Sequence, residues 1–452
     1  MTHWSLIVLF RYSVFAVVGV IGLSIFGWHQ TRFDTDIEGV FQLPSERLAQ
    51  VLVFPDDQKP DITAYLIYPR GEGQNRWQEG LAHYVEHLAA EKVVRVSRQE
   101  AQHANAWTNS TSTGYWLNTK KTGLEEALQA LVDTAKPLDV TEDFAVGERD
   151  IVLREYEYRF ADKALEDQKY RLLSDLYENG PISQRVGGTP ADIATYTLVA
   201  AQALHAESHH LSEASLVVHG DISPKAVAAL LGRVDSDGVP VNVARPVAPL
   251  VTEFTEGRFE TTVHADEVPG PVLLYGKLVR LPSCADQHVC GAAVDVLRRL
   301  LDSAQKGGLA GPLRYDAFVA REFAVDVTMM GPQVAEIWFE ARPDRGVSLE
   351  KLLSTFETSL EGALALAGSS DRYLNARRDA MSDVKYVDNI AAYEAGWAVD
   401  RYARGLTPIG RTDYGAALEL VRAGPLKAIA QDMSVPGRVV VLKINPLNER
   451  LN

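Results

Sequence analysis

A chain of 452 residues with 46% apolar content has material for two large cores. Its formal net charge of −15, without a basic patch, argues against nucleic acid as a partner. The charge reads either as solubility or as an acidic chamber that favours basic peptides.

The N-terminal segment, residues 1–30, carries a membrane signal. Tyr12 to Trp28 is an uninterrupted uncharged run, preceded by Arg11 and followed by Asp34, Asp36 and Glu38. Its length sits at the lower edge of a spanning helix, and the charge asymmetry keeps the N-terminus cytoplasmic and exports the bulk. A cleaved signal peptide is the rival. No small-x-small cleavage site stands near Trp28-His29-Gln30-Thr31, so an uncleaved anchor is expected, with the main part of the chain in the periplasm.

Residues 29–45 read as a linker. Val51 to Phe54 and Ile62 to Tyr68 read as strands, and Pro69 to Gly73 as the turn that follows. Gly80 to Lys92 then reads as a helix with Leu81, Val85 and Leu88 on its apolar stripe. It carries His83-x-x-Glu86-His87. Two imidazoles four residues apart share one helix face and can hold one Zn²⁺ from the same side. Glu86 projects beside that face, where a carboxylate can take a proton from activated water.

Thr108 to Thr119 includes a strand, with Asn105 and its neighbours at its start. Helices are expected at Leu124–Lys136, Glu142–Tyr158, Leu165–Tyr177 and Leu198–Glu207. Two imidazoles leave zinc short of a ligand. The second helix offers Glu148 and Glu155, seven residues apart and so facing one way; one can bind metal while the other orients a histidine. His205, His209 and His210 read as histidines at a helix C-terminus rather than as ligands. Ser215 to Asp221 is a strand and turn.

Residues 234–256, with Val239-Pro240 and Arg245-Pro246-Val247-Ala248-Pro249, form an extended boundary. The element order then recurs: strands near Phe259–Val263 and Val272–Leu281, and a long helix from about Ala285 to Ser303. Cys284 and Cys290 precede or open that helix and are either a disulfide or two free thiols. Strands at Val325–Met329 and Ala335–Ala341 follow. Helices then read at Leu349–Leu366, Asp371–Val384, Ile390–Arg404 and Ala416–Gln431, before a last strand at Arg438–Lys443. Asp388-Asn389 and Arg401-Tyr402 read as caps and surface contacts.

Gly80-Leu81-Ala82-His83-x-x-Glu86-His87 followed by Glu148-Arg149-Asp150-x-Val152-x-x-Glu155 resembles the pitrilysin and mitochondrial-processing-peptidase family of inverted-motif zinc metallopeptidases. Asn105-Ala106-Trp107-Thr108 resembles the family's edge-strand motif, and Val218-His219-Gly220-Asp221 its Val-x-Gly-Asp segment. The resemblance implies Zn²⁺ on His83, His87 and Glu155, with Glu86 as general base and Glu148 in support. It implies an extended peptide substrate on the strand edge at Asn105 and Ala106. The loop usual after the zinc helix is missing, and Ala89-Ala90-Glu91-Lys92 stands there.

The fold implied is α+β: a catalytic domain over 45–235 and a non-catalytic one over 256–450, each an antiparallel sheet backed by helices. Gly307 to Arg314 and Phe318 to Glu322 resemble the family segment whose Arg and Tyr grip substrate. Arg321 is the candidate Arg, but Phe323-Ala324-Val325-Asp326 stands where the Tyr is expected. A related two-domain subunit that supplies the pair is therefore expected, as a heterodimer, with a homodimer as the close alternative. The competing reading is a non-catalytic scaffold of a membrane complex, which tends to lose a ligand or the base; here all four residues are present.

Overall fold

The computed structural model describes residues 41–447 apart from 101–102, 160–162, 241–250, 252, 266–267, 305–306, 332, 368–371, 386–389 and 405–410. The anchor expected over 1–30, and Asp388-Asn389, lie outside the described residues. Among the described residues no helix is long and apolar enough to cross a membrane.

The first half runs β1 (Phe41–Leu43), β2 (Gln50–Pro55), β3 (Ile62–Tyr68), α1 (Leu81–Glu100), β4 (His103–Thr108) and β5 (Thr113–Thr119). It continues through α2 (Leu124–Asp133), α3 (Glu142–Arg159), α4 (Lys163–Leu176) and α5 (Leu198–Ser208) to β6 (Ser215–Gly220) and α6 (Pro224–Leu231). The second half runs β7 (Gly257–Ala265), β8 (Val272–Arg280), α7 (Gln287–Asp302), β9 (Ala320–Gly331) and β10 (Val334–Pro343). It ends with α8 (Leu349–Leu366), α9 (Arg372–Lys385), α10 (Ile390–Ala403), α11 (Arg411–Leu420), α12 (Ala423–Ser434) and β11 (Arg438–Pro446).

The strand orders are β1-β2-β6-β3-β5-β4 and β7-β11-β8-β10-β9. With β1 set aside, both sheets read first, last, second, fourth, third. The recurrence expected from element order is thus a recurrence of topology. Neither sheet is wholly antiparallel, however: β6 runs parallel to β2, and β11 parallel to β7. In each half the last strand returns after a run of helices to insert between the first two, and a long crossover of that kind allows parallel pairing. The expectation of purely antiparallel sheets is corrected on that point.

The chain forms two compact units that are not continuous in sequence. One comprises residues to Arg159, Gln184–Leu250 and Val387–Arg411; the other Phe160–Ser183, Val251–Tyr386 and Thr412 onward. The blocks 45–235 and 256–450 differ from these units chiefly by two helices. In the first unit Ala395 and Ala398 of α10 pack on Leu52, Phe54 and Val217. In the second, Leu172 and Leu176 of α4 close over Gly276 of β8, where a Cβ would come within 2.7–2.9 Å of them. Small residues at each contact let helix and sheet approach closely. Tyr402 of α10 is bonded to the Gln50 side chain, so it is part of the packing rather than a surface group.

Three local readings change. Asn105 lies in a strand of its own, because Thr108 to Thr113 is a hairpin turn. Asn109 Oδ1 accepts from the backbone N–H groups of Thr111 and Ser112 at 2.7 and 2.8 Å and stabilises the reversal. The single helix expected at Ala416–Gln431 is two, α11 and α12. Pro425 in the first turn of α12 has no N–H to continue a helix from α11. Residues 41–43, read as linker, add an edge strand to β2.

In the second unit Glu336 of β10 is fully inside and hydrogen-bonded to the Tyr177 hydroxyl. Burial, opposed by that bond, pushes its carboxyl from the usual 4.5 up to about 7. A carboxyl raised on folding contributes stability that is complete below its unfolded pKa and is lost as pH rises through about 7. Glu336→Gln is therefore expected to raise the melting temperature at pH 8 but not at pH 5. The differential is about 3 kcal/mol at most, from ~1.4 kcal/mol per pKa unit. Thermal unfolding of both proteins at the two pH values measures it.

Candidate active site

The first unit brings His83, His87 and Glu155 together. One donor atom from each lies within 4.8 Å of the others. His83 Nε2 is 3.7 Å from Glu155 Oε2, and His87 Nε2 is 3.7 Å from Glu155 Oε1. The two imidazole rings stand perpendicular, with centroids 4.8 Å apart. A tetrahedral zinc ion with bonds of about 2.0–2.1 Å holds its ligand atoms roughly 3.4 Å apart, close to the two 3.7 Å separations from Glu155 to the imidazoles.

The electrostatics also call for a cation. Glu86, Glu148 and Glu155 converge on the two imidazoles, and Glu86 is buried. Glu148 Oε2 lies 3.1 Å from His87 Nδ1. Burial opposes a charge on His87. The hydrogen bonds to Glu148 and Glu155 and the Glu86 charge outweigh it, and push the imidazole up to about 10. With Nδ1–H held by Glu148, the Nε2 lone pair of His87 is left facing Glu155, the tautomer a metal ligand needs. The donor set, two imidazole nitrogens and one carboxylate, fits zinc.

Several supports for this geometry have no local sequence signal. Glu72, read as part of a turn, is fully buried. Its Oε1 accepts from Gly80 N at 2.7 Å and its Oε2 from Ala82 N at 3.2 Å, so it caps α1 just ahead of His83. Burial raises its carboxyl well above the usual range, against the hydrogen bonds from Asn75, Gly80 and Ala82. Spacings of eight and ten residues match no local capping pattern, and only the folded loop reveals the contact. Gly80 has φ +80°, and a Cβ there would meet Gly188 N and the Tyr196 hydroxyl at 2.2 and 2.3 Å. The glycine opening the motif is thus required by backbone and by space. Tyr84 donates to Ala145 O at 2.6 Å, tying α1 to the first turn of α3, and stacks on Tyr196 at 5.4 Å. That contact holds the two histidines in register with Glu148 and Glu155.

Asn105 and Ala106 lie on β4, the terminal strand of the first sheet, paired on one side with β5. Asn105 is exposed, and its Oδ1 accepts from Ala106 N at 2.9 Å. Arg321 belongs to the second unit, at the start of β9. It is exposed, 3.7 Å from the Glu322 carboxylate. His205 and His209 are buried and engaged in the core. His205 Nε2 bonds Thr134 O at 2.8 Å, and His209 bonds the Tyr115 hydroxyl at 2.7 Å and Ser208 at 2.8 Å. Burial drives His205 down to about 4, and both rings stay neutral. Cys284 and Cys290 are disulfide-bonded and join the loop before α7 to its first turn.

Comparison with known proteins bears out the family resemblance. Residues 63–189 match the insulinase family (peptidase family M16). The zinc protease PqqE of Helicobacter pylori (strain ATCC 700392 / 26695) is 23% identical over 385 residues, 80% of this chain and 84% of that protein. A protease of Helicobacter pylori of known crystal structure superposes with a TM-score of 0.74 at 19% identity, covering 90% of this chain and 99% of that one. An inactive M16 peptidase domain from Pseudomonas fluorescens does so equally, with a TM-score of 0.74 at 17% identity, covering 90% and 98%. The structural likenesses establish the two-sheet α+β fold. The sequence matches add a peptidase lineage whose cofactor is zinc.

Proposed function

We propose that this chain, with its M16 match and its zinc cofactor, is a zinc-dependent endopeptidase that cleaves extended peptides. The observation that carries the reading is the convergence of His83, His87 and Glu155 within 4.8 Å, with the buried Glu86 between the two histidines in sequence. His83, His87 and Glu155 would hold the metal. A zinc ion there supplies Lewis acidity to water and to a peptide carbonyl. Glu86 takes the proton of the attacking water and returns it to the leaving amine nitrogen. Glu148 holds His87 in its ligand tautomer. The open edge of β4 offers backbone donors and acceptors at Asn105 and Ala106 to an added peptide strand.

A related two-domain chain completes the substrate chamber, as a heterodimer. The missing tyrosine after Arg321 supports this over a homodimer. The run Tyr12 to Trp28 anchors the chain in the inner membrane, with the catalytic part in the periplasm. The Cys284–Cys290 disulfide supports an oxidising compartment.

The full chain is expected to carry about one zinc per molecule, as a single three-ligand site requires. A strong chelator should abolish cleavage of an unstructured fluorogenic peptide, and added zinc should restore it. Zinc-loaded protein that cleaves nothing, alone or with a related chain, returns the scaffold reading.

A further inference from the structure

At the N-terminal end of β3, the end opposite Tyr68, a second cluster of chemically active side chains lies in the first unit. His219, the penultimate residue of β6, has Nε2 3.0 Å from Asp56 Oδ2 and Nδ1 3.2 Å from Lys59 Nζ. Lys59 Nζ also donates to Thr63 Oγ1 at 2.7 Å, and Thr63 Oγ1 accepts from Asn118 at 3.1 Å. The loop bearing Asp56 and Lys59 is strapped to the sheet. Asp56 N donates to Gly220 O, and Asp221 N to Lys59 O. His219, Asp56 and Thr63 are buried, while Lys59 stays part-exposed and within reach of a reagent.

Five other lysines lie against carboxylates, which hold their protons: Lys120 on Asp61, Lys121 on Asp221, Lys136 on Asp133, Lys169 on Glu166 and Glu340, Lys443 on Glu260 and Glu350; Lys277 is bonded to the Met433 carbonyl, with no base beside it in that bond. Lys59 is bonded instead to a hydroxyl and a neutral imidazole. With Nε2–H donated to Asp56, His219 presents its Nδ1 lone pair to the amine. A nucleophile on a base, and the base on an orienting carboxylate, is the arrangement that activates a side chain for covalent chemistry.

We propose that Lys59 is an activated amine and a site of acyl modification, taking acyl groups from activated donors such as acyl phosphates or thioesters, with His219 as its base and Asp56 as the orienter. The neutral amine attacks the acyl carbon. A C–N bond forms and the bond to the phosphate or thiolate breaks, the leaving group departing with the electron pair. The amine proton passes to His219 Nδ1 and on to solvent, so the product is an amide and no redox partner is needed. Burial lowers the pKa of Lys59, against the charges of Asp56 and Asp61, and Lys120 partly answers Asp61. His219 is likewise lowered by burial and by Lys59. The site stands apart from the peptidase reading and does not depend on it.

The test exposes the full chain at pH 7.5 to limiting acetyl phosphate and, separately, to an acetyl thioester, and maps acetyl-lysines by mass spectrometry. Lys59 is expected to be modified at least ~10-fold faster than the median lysine, because a positioned general base accelerates the attack, and the donor that works names the source. His219→Asn should reduce Lys59 to the median. Should that variant not fold, the pH–rate profile of the wild type decides, because Lys59 should reach half its limiting rate at lower pH than the exposed lysines. Lys59 at or below the median with both donors overturns the proposal. So does an advantage that survives in folded His219→Asn, or a profile coincident with the other lysines.

Discussion

Replacing Glu86 with glutamine should leave zinc bound and reduce kcat for peptide cleavage ~10²–10⁴-fold, the range that a positioned acid–base group contributes. The carboxylate is buried on the same helix turn as His83 and His87, and its charge raises both His87 and Tyr115. Glutamine keeps the size and can still accept a hydrogen bond, but it cannot take a proton. Zinc content and KM should therefore stay near those of the wild type while kcat falls. Metal analysis beside steady-state kinetics on one peptide separates the effects. A variant that loses zinc would reassign Glu86 to holding the site. One that keeps full activity would remove it from the chemistry.

Glu155→Ala should fail in a different way. Its two oxygens each face one imidazole at 3.7 Å, and Glu148 is already engaged with His87 Nδ1. Among the described residues no other carboxylate belongs to the metal-binding cluster. Loss of an outer partner costs ~10–100-fold in metal affinity, and loss of a direct ligand should exceed the upper end of that range. Isothermal titration of the metal-free protein with zinc measures it. An affinity equal to that of the wild type would show that the ion is held elsewhere. Cleavage should follow zinc occupancy in this variant, whereas in Glu86→Gln it should not.

The motif on α1 is legible in the sequence because a helix makes spacing into geometry. Residues 83 and 87 must share a face, and residues 148 and 155 must share another. β3 and α8 are found at the limits read from their apolar patterns, Ile62–Tyr68 and Leu349–Leu366. The recurrence of element order across the chain foretold two sheets, and apart from the edge strand β1 both have one strand order.

Contacts between distant segments had no such signature. Glu72 caps α1 across eight and ten residues, and Tyr84 reaches Ala145 sixty-one positions away. The assignment of α4 and α10 to units outside their own half of the chain follows from complementary small and large residues on sheet and helix, which no periodicity records. The joining of Asp56, Lys59 and His219 depends on the parallel pairing of β2 with β6.

What the sequence by itself determined is the set of chemical groups and the helix faces that carry them, since these depend on bonds and turns a few residues long. What only the tertiary structure decided is which of those faces meet. That choice is made by shape and by the burial of polar groups, which acquire a partner only when the whole chain closes around them.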